Sequence, residues 1–97
     1  MNLIEESYTR LFPNKEFPYL SAIEYNRRLA DFNATIALRR NMLTLKMNLQ
    51  WKDIDDEIKV GLIQSLLLKL LRERKDTSNL DLYHNFIRNI PMLTPKT

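Results

Sequence analysis

The segment that most constrains the fold is "VGLIQSLLLKLL", residues 60–71, the most apolar stretch of the chain. Gln64, Ser65 and Lys69 interrupt it. A membrane-spanning helix needs about 20 predominantly apolar residues, and this segment is shorter. It therefore predicts a buried helix in a folded core, with other elements covering most of its surface.

Charged residues lie on either side of this segment. Asp53 is a candidate N-cap, and carboxylates at Asp55, Asp56 and Glu57 fall in the first turn. Carboxylates stabilise the N-terminus of a helix and cations its C-terminus. The basic residues that follow the apolar segment are Arg72, Arg74 and Lys75. Together the charges predict a helix of about 18 to 20 residues and favour capping over a metal site for the carboxylates.

A change to two-residue periodicity begins at Ala34. Apolar residues alternate with polar ones through "TIAL" and again through "LTLKMNL", and "RRN" between them is typical of a turn. This pattern predicts a β-hairpin with an aliphatic inner face, which the following helix would cover. The residues expected on its outer face are Thr35, Arg39, Thr44, Lys46 and Asn48.

A short helix is predicted at the N-terminus. Asn2 and Glu5 have the spacing of a capping box. Pro13 disfavours the α conformation in the residue before it, so the helix should end at Phe12.

A second amphipathic helix is predicted near the C-terminus. Apolar residues from Leu80 to Ile90 recur at helical spacing. Asn79 or Ser78 would cap this helix and Pro91 would end it. Residues 92–97 are expected to form a flexible tail.

Residues 19–32 fit two structures equally well. Ser21 and Glu24 have capping-box spacing, whereas Tyr19, Ser21, Ile23 and Tyr25 alternate as in a strand. Both alternatives stay open.

We expect residues 1–97 to form a single α+β domain. Its small antiparallel sheet, of two or three strands, should pack on a long central helix with flanking N- and C-terminal helices.

Composition excludes several classes of protein. The 97 residues, 44% apolar and 28% charged, are typical of one globular domain. The lack of cysteine excludes disulfides and thiolate metal sites. Glu5 and Glu6 lie where a secretory signal would need a basic start. We therefore expect a cytoplasmic protein that does not bind membranes.

The residues that could carry catalysis are few. His84 is the only histidine and lacks neighbours at metal-ligand spacing, so we expect a surface position. Gly61 is the only glycine, which excludes glycine-rich phosphate loops. We interpret Gln64 and Ser65 as a polar edge of the buried helix. Their convergence with His84 on one water-filled hollow would instead favour catalysis. We expect no enzyme activity, catalytic residue, metal, cofactor or small-molecule substrate.

Basic residues suggest a nucleic-acid interface. The candidate residues are Arg27, Arg28, Arg39, Arg40 and Lys46. If the hairpin brought them together, they could contact phosphates, with Asn48 or Tyr25 adding polar or stacking contacts. Alternatively, these residues are separate positions exposed to solvent. The net charge of only +3 is compatible with both interpretations.

Trp51 precedes the helix and is expected to pack in the core.

The order of hairpin, Trp51, acidic cap and apolar helix over residues 21–71 resembles SprT-like proteins of the zincin type. In that family a strand pair leads into a helix that bears a His-Glu-x-x-His motif. Aligning Gln64 with the family's glutamate puts Ile63 and Leu67 at the two histidines. Neither residue can ligate zinc, so the resemblance implies a degenerate metallopeptidase-like domain without that activity.

Three functional hypotheses follow. The favoured one is a non-catalytic binding or assembly module whose partner is another protein chain or a second copy of itself. If apolar surface on the long helix stays uncovered, dimerisation would cover it. The alternatives are nucleic-acid binding through the basic hairpin face and the degenerate metallopeptidase-like domain.

Overall fold

The computed structural model describes residues 2–93, with side chains to residue 90, as an α+β fold of three helices and one three-stranded sheet. The elements follow in the order α1 (Leu3–Leu11), β1 (Leu20–Asn26), β2 (Ala34–Arg39), β3 (Met42–Asn48), a short 3-10 helix (Leu49–Asp53), α2 (Asp56–Leu71) and α3 (Ser78–Leu93). None of these helices is long and apolar enough to cross a bilayer.

Helix α1 begins and ends where the sequence predicts. The side chain of Asn2 accepts a hydrogen bond from the Glu5 amide at 3.0 Å. Phe12 is the C-cap residue. The N-cap bond satisfies one of the free amides of the first turn, and Pro13 prevents a further turn.

The sheet is mixed, with strand order β1-β3-β2. The predicted β2–β3 hairpin is confirmed, and β1 pairs with β3 in parallel. The strand alternative is therefore correct for residues 20–26, while the expected antiparallel-only sheet is wrong. Two chain reversals separate β1 from β3, so the two strands run in the same direction.

The hairpin turn has two residues. Arg40 and Asn41 adopt φ values of 48° and 66°, and the flanking residues Arg39 and Met42 pair. Positive φ at both positions is typical of a type I′ turn, whose twist matches that of the strands. The side chain of Asn41 also donates a hydrogen bond to the Pro18 carbonyl at 2.9 Å, which ties the turn to the segment before β1.

Helices cover the inner face of the sheet. Leu43, Leu45 and Met47 of β3 are inaccessible, as are Ile63 and Leu67 of α2. Trp51, as expected, is buried in the same core. Its ring lies 5.5 Å from those of Phe32 and Phe86.

Helix α2 has 16 residues, which is shorter than expected because it starts later. Asp55 rather than Asp53 is the N-cap, and its carboxylate accepts a hydrogen bond from the Glu57 amide at 2.8 Å. At the other end Arg72 is left-handed, with φ 57°. The Glu73 amide donates to the Leu68 carbonyl at 2.9 Å, which is the Schellman pattern of a helix end.

Helix α3 differs from prediction at both ends. Thr77 is the capping residue, rather than Ser78 or Asn79, because its hydroxyl accepts a hydrogen bond from the Leu80 amide at 3.0 Å. The helix continues through Pro91 to Leu93. A proline removes one amide donor, and here that loss falls in the last turn. The expected tail therefore starts inside α3, and its residues 94–97 lie outside the described residues.

Candidate functional site

Gln64 is a structural residue. It is fully buried, which contradicts the expectation of a polar edge. Its amide oxygen accepts a 2.5 Å hydrogen bond from the Thr77 hydroxyl, and its amide nitrogen lies 3.5 Å from the Ser7 carbonyl as a donor. Gln64 thus connects α2 to α1 and to the residue that caps α3. These partners account for a polar side chain in the core.

A groove between α2 and α3 contains both Ser65 and His84. Asp81 and the charged residues of the connecting segment also line it. Gln64 does not line this groove, so the arrangement that would favour catalysis is only partly present. Within residues 2–93, no side-chain hydrogen bond joins Ser65 or Asp81 to His84, and no three His, Cys, Asp or Glu residues are grouped to hold a metal.

An ionic cluster holds the N-terminal ends of α2 and α3 against α1. The Arg10 guanidinium donates to both carboxylate oxygens of Glu57, at 2.8 and 3.2 Å, and also pairs with Glu6. The Asn79 amide donates to the Glu57 carboxylate at 3.1 Å. The Arg10 bond, followed by the Asn79 bond, holds the pKa of Glu57 below its ordinary value. Arg10 bonds to each of the other three residues, so the cluster has a structural role in joining the helices.

Four of the five basic residues of the nucleic-acid hypothesis lie as two pairs at opposite ends of the sheet. Arg39 and Arg40 lie at the hairpin turn, beside the start of β1, whereas Arg27 and Arg28 follow the end of β1. Six strand intervals separate the two pairs, a distance of about 20 Å. Lys46 lies between them on the outer face of β3.

The outer face of the sheet is only weakly basic. Arg39 and Lys46 line one shallow groove together with Ala37 and Thr44, but Glu24 of β1 is the direct neighbour of Lys46. An adjacent carboxylate lowers the positive potential available to a phosphate.

The sequence pattern predicts Asn48 on this face, and that prediction is wrong. Asn48 is 5% exposed. Its side chain donates to the Leu29 carbonyl at 2.7 Å and accepts from the Gln50 amide at 2.8 Å. The residue holds the 27–33 loop in place, and its burial keeps its side chain away from a ligand on the outer face.

Strand β2 forms an open edge of the sheet. Residues 35, 37 and 39 form the hydrogen-bonded pairs with the even-numbered residues of β3, starting from the Arg39–Met42 pair that closes the turn. The Asn48 amide continues this ladder by donating to the Asn33 carbonyl at 2.9 Å. In an antiparallel strand alternate residues direct their amide and carbonyl groups to opposite sides. The backbone groups of Ala34, Ile36 and Leu38 therefore point to the free edge, where no other strand of the described chain lies.

An apolar groove runs beside this open edge. Its walls are Ala34 and Ile36 of β2 and Leu66 and Leu70 of α2, with Lys69 at the rim. Leu66 and Leu70 are half-buried. Leu38, one pleat further along the same face, is 37% exposed. Helix α2 thus keeps some apolar surface that the described elements cover only in part, which is the condition under which the sequence predicts dimerisation.

One feature of the sequence indicates this surface, although the surface was not predicted from the sequence alone. Edge strands of soluble proteins are commonly guarded by charge, proline or a bulge. From Ala34 to Leu38 the chain has none of these charged or proline residues. The pattern becomes informative only once β2 is known to lie at an edge, and strand order cannot be read from hydrophobic alternation.

The positions that the zincin resemblance aligns with zinc ligands, Ile63 and Leu67, both lie in the core. Comparison with family models, curated proteins and solved structures gives no match for this chain. The functional conclusion therefore depends on the geometry of the chain itself.

Proposed function

We propose that this chain is a non-catalytic binding module that holds another protein chain along the open edge of β2 and the adjoining apolar groove. The main support for this proposal is that backbone groups without a partner strand and partly exposed apolar side chains lie side by side. Free backbone groups of Ala34, Ile36 and Leu38 lie next to the half-buried Leu66 and Leu70.

Strand addition would use both features together. An extended segment gains main-chain hydrogen bonds from the edge, while alternate side chains enter the groove. Each apolar side chain that becomes fully buried contributes about 1.5–3 kcal/mol. Because residues 34–38 carry no charge, a partner strand would not have to desolvate a charged side chain of β2.

A nucleic-acid interface is the second candidate, because Arg39 and Lys46 share a groove on the outer face. Two features argue against this interface. Arg27 and Arg28 lie far from that groove, and Glu24 is next to Lys46. The affinity of such an interface would fall steeply with salt. Single-stranded and duplex oligonucleotides titrated at low and high salt would test it, and the same weak binding at both salt concentrations would reject it.

The proposed function can be tested with a strand that the chain itself supplies. The probe is a fluorescent peptide of residues 33–40, "NATIALRR", and fluorescence anisotropy measures its binding. We expect saturable binding that is lost when proline replaces the Ile36 position of the peptide, because proline cannot complete a strand ladder.

Two matched variants of the protein locate the binding site. Leu66→Ala removes one wall of the groove and should weaken peptide binding by about tenfold. Leu82→Ala removes an exposed leucine of α3, 45% accessible, that lies outside the groove, and should leave binding unchanged. Equal effects of the two substitutions, or no binding by a chain that is monomeric at the same concentration, would contradict the proposal.

A further inference from the structure

We propose that the partner at this surface is a second copy of the chain, paired through β2 about a two-fold axis at Ile36. This inference rests on the proposed function and adds the identity of the partner. The axis would stand perpendicular to the sheet, so the two sheets would join into one of six strands with the helices of both copies on the same side.

The pairing register follows from the directions of the backbone groups. Ala34, Ile36 and Leu38 all direct their amide and carbonyl groups to the free edge. Antiparallel pairing about Ile36 therefore places Ile36 opposite Ile36 and Leu38 opposite Ala34 of the other copy. Each of these pairs exchanges two main-chain hydrogen bonds, so the edge of each copy becomes fully bonded.

The side chains are complementary in this register. Leu38 is large and 37% exposed, whereas Ala34 is small and borders the groove. Both point to the helix-covered face, since they alternate with Thr35 and Ala37 on the outer face. Leu38 of each copy would thus enter the groove beside Ala34 of the other, where it would meet Leu66 and Leu70.

The charges at the ends of the strand also favour this pairing. Arg39 of one copy lies opposite Asn33 of the other, two residues from Asp31. In this register Arg39 of each copy would lie near Asp31 of the other copy and far from that copy's Arg39. A parallel arrangement would instead place Arg39 beside Arg39. Opposite charges across a strand pair are favourable and like charges are not.

Sedimentation equilibrium of the full chain is the first test. We expect a monomer–dimer equilibrium over protein concentrations from about 10 µM to about 1 mM. Leu38→Lys places a charge in the groove of each partner and should raise the dimer dissociation constant by about a hundredfold. Leu82→Lys adds the same charge at an exposed leucine outside the edge and should leave the constant unchanged.

Disulfide cross-linking tests the register, since the chain has no cysteine of its own. Residues 35 and 37 face each other across the proposed interface, with Cα atoms about 4.5 Å apart, within reach of a disulfide. A mixture of Thr35→Cys and Ala37→Cys chains should form a cross-linked heterodimer under mild oxidation. Either variant alone should cross-link much more slowly, because a residue and its own copy are too far apart.

The possible results separate this inference from the proposed function. A chain that stays monomeric at 1 mM but binds the peptide overturns the second-copy inference and keeps the binding module. A monomer that does not bind the peptide overturns both. A dimer that responds equally to Leu38→Lys and Leu82→Lys, or that cross-links without regard to register, places its interface elsewhere and also overturns the inference.

Discussion

Replacing Gly61 by alanine tests the packing on which the whole helical layer depends. Gly61 lies in the middle of α2, where it faces the first turns of α3. A Cβ atom at this position would lie 2.0 Å from the Asn79 carbonyl oxygen and 2.7 Å from the Tyr83 Cβ. The clash is with main chain, which cannot move aside by rotating a side chain.

The expected change in the free energy of unfolding for Gly61→Ala combines two opposing effects. Relieving the contact to a normal C···O distance of about 3.3 Å requires α3 to move by about 1.3 Å, and overpacking of this kind costs about 1–3 kcal/mol. Alanine is favoured over glycine inside a helix by about 1 kcal/mol. Because the contact is severe, we take the upper end of the overpacking range and expect a net loss of about 2 kcal/mol. That corresponds to a melting temperature lower by about 8–16 °C.

Urea denaturation and thermal melting followed by circular dichroism measure this loss. Lys69→Ala is the matched control, since it places alanine at an exposed position of the same helix and should change stability by less than about 0.5 kcal/mol. A Gly61→Ala protein as stable as the original, or more stable, would refute the close approach of α2 and α3.

Three further substitutions test other parts of the fold. Arg72→Gly relieves a left-handed backbone at the end of α2 and should raise the free energy of unfolding by about 1 kcal/mol in urea titrations; an unchanged or lower value would argue against this cap. Thr77→Val removes the cap of α3 and leaves the Gln64 amide oxygen unpaired. It should cost about 1–3 kcal/mol, and a neutral effect in the same titrations would contradict the buried link. The pKa of Glu57 is lower in the folded protein than in the unfolded chain. Its pairing with Arg10 therefore stabilises the protein at pH values above the ordinary carboxyl pKa, and this stabilisation is lost as the pH falls through the lowered pKa of the folded state. Glu57→Gln should therefore reduce the acid-induced loss of stability, and identical pH profiles for the two proteins would refute this linkage.

Local chemistry determined the elements that could be predicted from the sequence. The cap at Asn2, the stop before Pro13 and the alternation through the hairpin each act over a few residues, so one sequence is enough to recognise them. The presence of helix α2 was predicted for the same reason, although it is shorter than expected. Its start was placed too early because Asp53 and Asp55 are equally good caps, and only the 3-10 helix that ends at Asp53 distinguishes them.

Long-range pairing determined the features that were missed. Alternation in residues 19–26 is compatible with a strand but does not identify its neighbour, so the parallel β1–β3 pair could not be foreseen. Gln64 looked like an edge residue because its partners, the Ser7 carbonyl and the Thr77 hydroxyl, are 57 and 13 residues away. The division of the basic residues between two ends of the sheet depends on the same strand order.

Amide hydrogen exchange, resolved by residue with NMR, tests the open edge of β2 most directly. Amides of residues 35, 37 and 39 bond to β3 and should be protected at every protein concentration. Amides of Ala34, Ile36 and Leu38 should exchange rapidly in dilute protein and become protected as the concentration rises or the peptide is added. Rapid exchange of these three amides under all conditions would contradict the account, because it would mean that nothing pairs with this edge.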